Sequence, residues 1–279
     1  MHKIGILHQP RIPASKPMAK EVAAWLQAQN IFCSMGSTWT EIAANNEGSS
    51  DISLLIVLGG DGSTLRAAHM TIDYPIPIFG INMGRVGFLS EAQPDEWREK
   101  LSRVLQDDFW IERRLMIHAD LLRNGRVINS YSALNEVVVG RGQQARVIRL
   151  HLHVDGDLVT TYTADALIVA TPTGSTAYAM AAGGPLLPPQ LKNFVVVPVA
   201  AHLSLDRPLV LHEEAEISIK VEMDHEANLT ADGQYGGEIE NGDLIVVKRH
   251  IHDAHFARVD SSGYFYRRLM RRLGLFLTA

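Results

Sequence analysis

The amino-acid sequence predicts two domains of different class: an α/β domain with a parallel sheet, followed by a domain built mostly of β-strands. Up to about residue 109, short apolar runs alternate with segments whose apolar residues recur at helical spacing. After that point, alternating apolar and polar residues and turn pairs such as Asn124-Gly125 predict antiparallel hairpins. A last amphipathic helix over 264–277 is predicted to pack back on the first domain. The predicted bounds of the three segments are 1–109, 110–258 and 259–279.

Strands and helices alternate in the first segment, and each is predicted from its own pattern. The strands are short apolar runs, whereas the helices carry apolar residues every three or four positions, the first of them entered through Pro17. This alternation favours a parallel, Rossmann-like sheet with right-handed crossovers. The predicted strands are 3–8, 31–35, 54–58 and 77–81, and the predicted helices are 18–29, 63–72 and 95–105.

The strand over 54–58 ends in a glycine-rich turn at 59–63, with the sequence Gly-Gly-Asp-Gly-Ser. Open α/β sheets bind their ligands at the carboxyl ends of such buried strands. The glycines permit positive φ and a close approach of a ligand, and the free amides at the start of the next helix favour an anion. A carboxylate at Asp61 would repel a phosphate unless it binds a metal or helps to ionise a hydroxyl. The turn therefore predicts chemistry on a phosphate.

A second glycine-bearing loop follows the next strand, at 82–89, with the sequence Asn-Met-Gly-Arg-Val-Gly-Phe-Leu. Because parallel strands end at the same edge of a sheet, this loop is expected beside Asp61, so that the two loops form a cleft. Arg85 is a candidate for steering phosphates, although exposed arginines are common.

Composition narrows the class of protein. The chain has 279 residues, 46% of them hydrophobic, which is enough for a sizeable core. Its formal net charge of -5 disfavours general binding to nucleic acid or to a membrane surface. The single cysteine, Cys33, excludes an internal disulfide and favours a reducing compartment. With no leader pattern and no long apolar segment, the sequence predicts a cytoplasmic protein.

Polar motifs interrupt the strands of the second segment at three places: Asn-Glu at 135–136, Thr-Pro-Thr-Gly-Ser-Thr-Ala-Tyr at 171–178, and Asp-Gly-Gln at 232–234. Each follows or precedes an apolar run, so each is expected at a strand end. The predicted strand-like runs are 111–122, 128–134, 137–139, 147–154, 166–170, 194–199, 209–211, 215–221 and 244–247, with further strands starting at Val127 and Leu158.

Taken together, the glycine-rich turn, the 82–89 loop and these three motifs resemble the NAD kinases over nearly the whole chain. The resemblance implies transfer of a phosphoryl group from ATP, or from another nucleotide or polyphosphate, to the 2′-hydroxyl of the adenosine ribose of NAD, which gives NADP. It implies Mg²⁺ or another divalent cation as cofactor, and a homodimer or homotetramer. The partners are then NAD and ATP, with no nucleic acid and no membrane.

The resemblance also assigns roles to individual residues. Asp61 corresponds to the base that takes the proton of the ribose hydroxyl, with Gly60, Gly62 and Ser63 as nucleotide-binding neighbours. Asn135 and Glu136 correspond to the pair that holds the nucleoside of the substrate. Without the resemblance, the alternative is that these two residues form a polar β-turn.

The remaining implied binding residues come from four places in the sequence. They are Phe88, Asp165, the pocket-lining group Thr173, Ser175, Thr176, Ala177 and Tyr178, and the pair Asp232 and Gln234. Three of them have structural alternatives: Phe88 and Tyr178 could pack in the core, and Asp232 could serve a hairpin turn. Asp165 is expected to contact a base or the nicotinamide amide.

Two departures from the family pattern and two rival functions remain. Ser63 stands where threonine is more common. The segment 197–204 lacks the Cys-Pro-His of many bacterial relatives, so the resemblance does not define that part of the pocket wall.

A lipid kinase would share the glycine-rich turn, and a dinucleotide-binding sensor would have lost catalysis. The arginines of the last helix are interpreted as a solvated or subunit-facing surface, and the histidines at 250, 252 and 255 as structural.

Overall fold

The structure is a computed structural model that describes residues 3–44, 52–84, 87–142, 146–202, 205–272 and 274. The chain forms two compact units. The first comprises Met1–Arg113 together with Ala254–Ala279, and the second comprises Arg114–Asp253.

The first unit contains a six-stranded sheet in the order β2-β1-β3-β4-β18-β5. Its strands are β1 (Lys3–His8), β2 (Phe32–Gly36), β3 (Ile52–Gly59), β4 (Ile78–Asn82), β5 (Trp110–Arg114) and β18 (Ala254–Arg258). The pairs β1 with β2, β1 with β3, β3 with β4 and β4 with β18 are all parallel. The sheet and its crossover helices confirm the predicted α/β domain.

The described part of this unit contains five α-helices: α1 (Ser15–Gln27), α2 (Trp39–Ala44), α3 (Asp61–Met70), α4 (Trp97–Leu105) and α6 (Tyr264–Arg272). The core forms where apolar helix faces meet the sheet, for example Val22 and Leu26 of α1 against Ile6 and Ile56. The sequence analysis missed α2, because its six residues bury a single apolar side chain, Ile42, and show no helical period. In the part of the chain that the structure describes, no helix is both long and apolar enough to cross a membrane.

The second unit consists of two six-stranded sheets, in the orders β10-β9-β14-β17-β6-β7 and β13-β12-β11-β8-β15-β16. Its pairings are antiparallel, as the hairpin turns predict. The largest core cluster combines inward-facing residues from strands of both sheets, such as Leu150 and Ile219 from one and Val139 and Leu167 from the other. The fold of this unit confirms the predicted β-rich domain.

The elements of the second unit, in chain order, are β6 (Ile117–Arg123), β7 (Arg126–Ala133), β8 (Glu136–Arg141), β9 (Ile148–Val154), β10 (Asp157–Ala164), β11 (Ala166–Ala170), a 3₁₀ helix (Gly174–Thr176), α5 (Tyr178–Ala181), β12 (Asn193–Val199), β13 (Leu209–His212), β14 (Ile217–Glu222), β15 (Ala227–Ala231), β16 (Gln234–Ile239) and β17 (Leu244–Arg249).

The unit boundaries differ from the bounds predicted at 109/110 and 258/259. The structure divides the chain at 113/114 and 253/254, because β5 and β18 join the sheet of the first unit. An alternating pattern identifies a strand, but it does not show which sheet the strand joins. The helix α6, which follows β18, also lies in the first unit.

Candidate functional site

Asp61 is the first residue of a helix. Strand β3 ends at Gly59, Gly60 caps α3, and α3 begins at Asp61, two residues before the predicted start. The glycines permit positive φ but do not adopt it here: Gly60 has φ -99°, and neither Gly59 nor Gly62 has positive φ. Gly60 and Gly62 leave open space, since a Cβ added at either residue would meet no atom within 4 Å. At Gly59 a Cβ would lie 2.2 Å from Ser63 Oγ.

The carboxylate of Asp61 is held by the loop that follows β4. The backbone amides of Phe88 and Leu89 donate to its two oxygens, Oδ2 and Oδ1, at 3.0 Å each. This approach requires glycine at 87, where a Cβ would lie 2.0 Å from Asp61 Oδ1. Because a carboxylate oxygen has two lone pairs, Oδ1 can still accept a further proton or hydrogen bond. The predicted meeting of the two glycine-bearing loops is therefore present within the first unit.

A cation from the C-terminal helix lies beside Asp61. Arg272 Nη1 is 3.5 Å from Asp61 Oδ2, and its guanidinium lies 5.0 Å from the centre of the Phe88 ring. Phe88 is buried against Phe265 of α6, as in the core alternative considered above. The interpretation of the α6 arginines as a solvated surface is wrong for Arg268, whose side chain is 13% exposed and binds the Ser90 carbonyl and the Glu91 carboxylate.

A buried ionic network fixes the loop that holds Asp61. Arg258, which is fully buried, donates from Nε to Glu112 at 2.8 Å and from Nη1 to Glu91 at 3.1 Å. The same Nη1 donates to the carbonyl oxygens of Leu89 and Ser90. Burial lowers the pKa of Arg258, but Tyr264 and the two glutamates outweigh burial and hold it above its ordinary value.

Sequence analysis did not find this network. Its members are far apart in the chain, and no local pattern links them. The sequence feature that could have indicated the network is the presence of charged residues within strand-like apolar runs, where an unpaired charge is costly.

In the second unit, Asp232 shapes the turn that carries Asn135 and Glu136. Its carboxylate accepts hydrogen bonds from the amides of Leu134 (2.8 Å), Asn135 (2.7 Å) and Glu136 (3.1 Å). Asp232 itself has φ 51° and precedes Gly233, with φ 72°, in the tight turn between β15 and β16. Asp232 thus belongs to the hairpin turn and also holds the backbone of 134–136 in place through its carboxylate.

Glu136 is a buried carboxyl group with an oxygen that lacks a partner. The residue is 6% exposed, and Oε2 makes no hydrogen bond within the described part of the chain. Burial and the nearby charge of Asp232 raise the pKa of Glu136 to about 7, against a smaller opposing effect from the Tyr178 amide. Buried polar atoms without a partner are rare in folded proteins, so Oε2 is suited to accept a hydrogen bond from a ligand.

The raised pKa of Glu136 predicts a pH-dependent stability. Between pH 4.5 and 7 the folded state binds a proton that the unfolded chain has lost, so stability falls as pH rises through this window. Glu136→Gln removes this dependence, and at pH 8 it is expected to raise the unfolding free energy of the second unit by up to about 3 kcal/mol.

Urea unfolding at pH 4.5 and pH 8 tests this prediction. All four tryptophans precede residue 114, so their fluorescence reports the first unit, while far-UV circular dichroism reports both units. The circular-dichroism transition of the variant should differ from that of the wild type at pH 8 but not at pH 4.5. An equal slope of stability against pH in the two proteins would contradict the raised pKa.

Some side chains of the segment 171–178 form hydrogen bonds within the protein, whereas the Tyr178 side chain is exposed and could contact a ligand. The Ser175 hydroxyl donates to the Pro172 carbonyl at 2.7 Å and accepts from the Leu187 amide at 3.0 Å, so its role in the structure is to close the loop. The Thr176 hydroxyl likewise donates to the carbonyl of Thr173 at 3.1 Å. Tyr178 is 45% exposed, which rules out the core alternative for this side chain.

The close packing of this segment on the Asn135 turn depends on Gly174. A Cβ added there would lie 2.1 Å from the carbonyl oxygen of Asn135. The Asn135 carbonyl also accepts the Thr171 amide at 2.8 Å, and the Thr171 hydroxyl donates to the Leu134 carbonyl. The structure thus brings together 134–136, 171–178 and Asp232, which the sequence motifs predict to share one site.

Asp165 is the predicted residue that the structure does not bring to this site. Strand β11 pairs with β8 in a register that places Ala170 opposite Glu136 and Ala166 opposite Gly140. Asp165 lies at the other end of β11, roughly 17 Å along the strand from Ala170. There it pairs with Arg141 Nε at 3.0 Å. Gln234, the last of the predicted residues, is exposed at the start of β16.

Some predictions fall on residues outside the described ranges, namely Arg85, the end of the segment 197–204, and the end of the last helix beyond Arg272. The rings of His118 and His250 lie 6.0 Å apart, and those of His250 and His252 5.8 Å apart. Among the described residues, no group of three or more His, Cys, Asp or Glu side chains could hold a metal ion.

Two family models match the chain. The ATP-NAD kinase N-terminal domain matches residues 4–109, and the ATP-NAD kinase C-terminal domain matches residues 134–259. Together they match parts of both structural units and include every predicted site residue, from Gly60 to Gln234.

Similar proteins and solved structures support the same family. The chain is 36% identical over 273 residues to an NAD kinase of Chloroflexus aggregans, covering 98% of this chain and 99% of that one, and 36% identical over 272 residues to an NAD kinase of Geobacter sulfurreducens, covering 95% and 96%. It has the fold of yeast NADH kinase solved with NADH (TM-score 0.87, 23% identity, covering 100% of this chain and 90% of that chain). It is also similar to an Archaeoglobus fulgidus NAD kinase solved with ATP (TM-score 0.77, 26% identity, covering 99% and 100%). The chain belongs to the NAD kinase family.

Proposed function

We propose that this protein transfers a phosphoryl group from ATP to the 2′-hydroxyl of the adenosine ribose of NAD, which yields NADP. The observation that carries the proposal is the position of Asp61: a carboxylate at the start of a helix, 32% exposed, with open space beside both neighbouring glycines. Membership of the NAD kinase family and the ATP bound to the Archaeoglobus relative support this choice of reaction.

Asp61 is proposed as the general base. A ribose hydroxyl is a weak nucleophile, and a carboxylate within hydrogen-bond reach can orient it and take its proton as the new P–O bond forms. The two amides from 88–89 fix the direction of the carboxylate, so the remaining lone pairs face a defined position. The free amides at the start of α3 favour the negative charge of the donor phosphate.

Asn135, Glu136 and the segment 171–178 are proposed to bind the nucleoside of NAD. The unpartnered Oε2 of Glu136 can accept a hydrogen bond from a ribose hydroxyl, and the exposed ring of Tyr178 can stack on a base. Asp232 acts by positioning the turn at 134–136. Thr173 and Ala177 complete the predicted lining, whereas the engaged hydroxyl of Ser175 supports a structural role.

The residues around Asp61 fit a Mg²⁺ ion that arrives with the nucleotide. Mg²⁺ is usually held by one or two carboxylates, water and substrate phosphates, and does not need an enclosing cage of protein ligands. Asp61 is the residue that would hold it, through Oδ1, which among the described residues accepts only the Leu89 amide. Oδ2 accepts both the Phe88 amide and Arg272 Nη1. When bound, the ion would neutralise charge on the transferred group. By the same resemblance we propose a cytoplasmic homodimer or homotetramer.

An assay of several donors against several acceptors tests the proposal. Purified protein is incubated with ATP, GTP or polyphosphate and with NAD, NADH or diacylglycerol vesicles, in the presence of Mg²⁺, and the NADP or NADPH formed is measured with an NADP-specific dehydrogenase. We expect NADP from ATP and NAD. Phosphorylated lipid would instead support a lipid kinase, and binding of NAD without turnover on any donor would support a sensor.

A further inference from the structure

The helix α6 brings a cation to the turn that carries Asp61. Arg272 is the last residue of α6, and its Nη1 lies 3.5 Å from Asp61 Oδ2. Apart from this bond and the contact with the Phe88 ring, its guanidinium has no partner in the described part of the chain. Because an arginine side chain carries five N–H donors, most of them remain available to a ligand that binds beside Asp61.

Packing and hydrogen bonds fix the position of α6. Tyr264 and Phe265 are buried at the start of the helix, and the Tyr264 hydroxyl donates to a carboxylate of β5 at 2.8 Å. The Phe265 ring lies 6.1 Å from the Phe88 ring, whose centre is 5.0 Å from the guanidinium of Arg272. A cation beside an aromatic ring is attracted to it. The Arg272 side chain is 45% exposed, so it can also turn towards a ligand.

Ordinary reaction distances place the transferred phosphoryl group within reach of Arg272. A hydroxyl that gives its proton to Asp61 lies about 2.6–3.2 Å from the carboxylate oxygen. The attacked phosphorus lies about 3–3.5 Å from the hydroxyl oxygen. The phosphoryl oxygens therefore lie within roughly 7 Å of the carboxylate. The guanidinium of Arg272 occupies the same region, since its nearest nitrogen is 3.5 Å from Asp61 Oδ2.

The phosphoryl group is a stronger partner for Arg272 than Asp61 is. In transfer it spreads negative charge over three oxygens, and a planar guanidinium can bind two of them at once. Asp61 gives Arg272 one long hydrogen bond, through an oxygen that also accepts the Phe88 amide. When Arg272 turns to the phosphoryl group, Oδ2 regains a lone pair that can accept the ribose hydroxyl.

We propose that Arg272 is a catalytic residue that contacts the transferred phosphoryl group. The proposal rests on the proposed function, because it assigns a protein partner to the group that ATP gives to NAD. The hydroxyl oxygen forms the new P–O bond, its proton passes to Asp61, and the bond from phosphorus to the leaving oxygen of ADP breaks. Arg272 stays protonated throughout and stabilises the charge on the phosphoryl oxygens.

Single-turnover assays with labelled ATP test whether Arg272 acts directly. We expect Arg272→Ala to lower the rate by about 10²- to 10³-fold, the range for losing one donor to transition-state charge, with the Kd for NAD unchanged. The same substitution should lower the rate again in the Asp61→Asn protein. No further loss in that background would mean that Arg272 acts only through Asp61, which overturns the proposal. Arg267→Ala is the matched control, because it removes an exposed arginine from the same helix and should leave the rate unchanged.

Binding of a phosphoryl mimic tests the contact without turnover. Calorimetry gives the Kd for ADP in the presence of Mg²⁺ and NAD, with and without fluoroaluminate, which mimics the phosphoryl group in transfer. We expect fluoroaluminate to tighten ADP binding to the wild type by about 10- to 100-fold more than to Arg272→Ala, the range for a hydrogen bond to a charged group. ADP alone should bind equally to both proteins.

The outcomes separate this contact from the proposed function. Equal tightening by fluoroaluminate in the wild type and Arg272→Ala, or no tightening in the wild type, overturns the role of Arg272. If the tightening depends on Arg272 but the wild type forms no NADP from ATP and NAD, the contact stands and the proposed function fails.

Discussion

Asp61→Asn is expected to lower kcat for NADP formation by about 10²- to 10⁴-fold, the usual contribution of a general base. The substitution keeps the size of the side chain and one acceptor oxygen, so one of the two hydrogen bonds from 88–89 survives. NAD binding should change little, because the proposed nucleoside contacts are made by the second unit. The measurement is a steady-state assay with ATP and NAD, paired with the Kd for NAD from calorimetry.

Asp73→Asn is the matched control for this variant. Asp73 is exposed just beyond the end of α3, so its substitution removes a carboxylate near the same helix and should leave kcat unchanged. A kcat for Asp61→Asn within a few-fold of the wild type would exclude Asp61 as the base. Asp61 would then act through its hydrogen bonds to the 88–89 amides, as a residue that shapes the loop.

Arg258→Met is expected to destabilise the first unit by about 3–5 kcal/mol, the range for breaking a buried ion pair by removing one partner. The substitution removes the bonds of Arg258 to the buried carboxylates of Glu91 and Glu112 and to the carbonyls of Leu89 and Ser90. Of these groups, Glu91 and the Ser90 carbonyl keep their contacts with Arg268. Because Leu89 also binds Asp61, kcat should fall as well. Urea unfolding followed by tryptophan fluorescence measures the loss.

Two further variants distinguish the network from a general effect of losing an arginine. Arg267→Met removes an exposed arginine from α6 and should change the unfolding free energy by less than about 0.5 kcal/mol. Adding Glu91→Gln and Glu112→Gln to Arg258→Met removes the two buried carboxylate charges that Arg258 had paired with, and should restore part of the stability. If Arg258→Met unfolds at the wild-type urea concentration, the buried network contributes no net stability.

Local patterns were sufficient to predict most strands of the first unit. The run at 54–58 contains only apolar residues, as a strand covered on both faces requires, and the structure places it within β3 at the centre of the sheet. The position of Asp61 beyond the end of that strand was also predictable, because the carboxyl edge is fixed by chain direction. The start of α3 was not, because glycine is a weak indicator of a helix N-terminus.

Long-range contacts of the first unit were not predictable from local patterns. The conformation of the 87–89 loop depends on Arg258 and Arg268, which lie about 170 positions further along the chain. In α6, arginines spaced three or four residues apart predict a polar helix face. The sequence gives no indication that part of this face meets the carbonyls of 90–91.

In the second unit, the motifs predicted which segments meet but not what each side chain does. The resemblance to the NAD kinases grouped Asn135, Glu136 and Asp232, and in the structure the Asp232 carboxylate accepts the amides of the other two. That Asp232 accepts three amides, and that the Ser175 hydroxyl closes its own loop, depends on the register between β8, β11 and β15. Asp165 lies eight residues before Thr173, and β11 places it at the opposite end of the strand from Ala170, which pairs with Glu136. Its contact with a base or the nicotinamide amide stays a prediction.

The position of phosphorylation tests the central claim most directly. The protein is incubated with ATP, Mg²⁺ and one of three acceptors, NAD, its 2′-deoxyadenosine analogue or its 3′-deoxyadenosine analogue, and the products are identified by ³¹P NMR. We predict a 2′-phosphate monoester from NAD and from the 3′-deoxy analogue, and no product from the 2′-deoxy analogue. A 3′-phosphate, or phosphorylation of the 2′-deoxy analogue, would contradict the assignment of the 2′-hydroxyl as the acceptor.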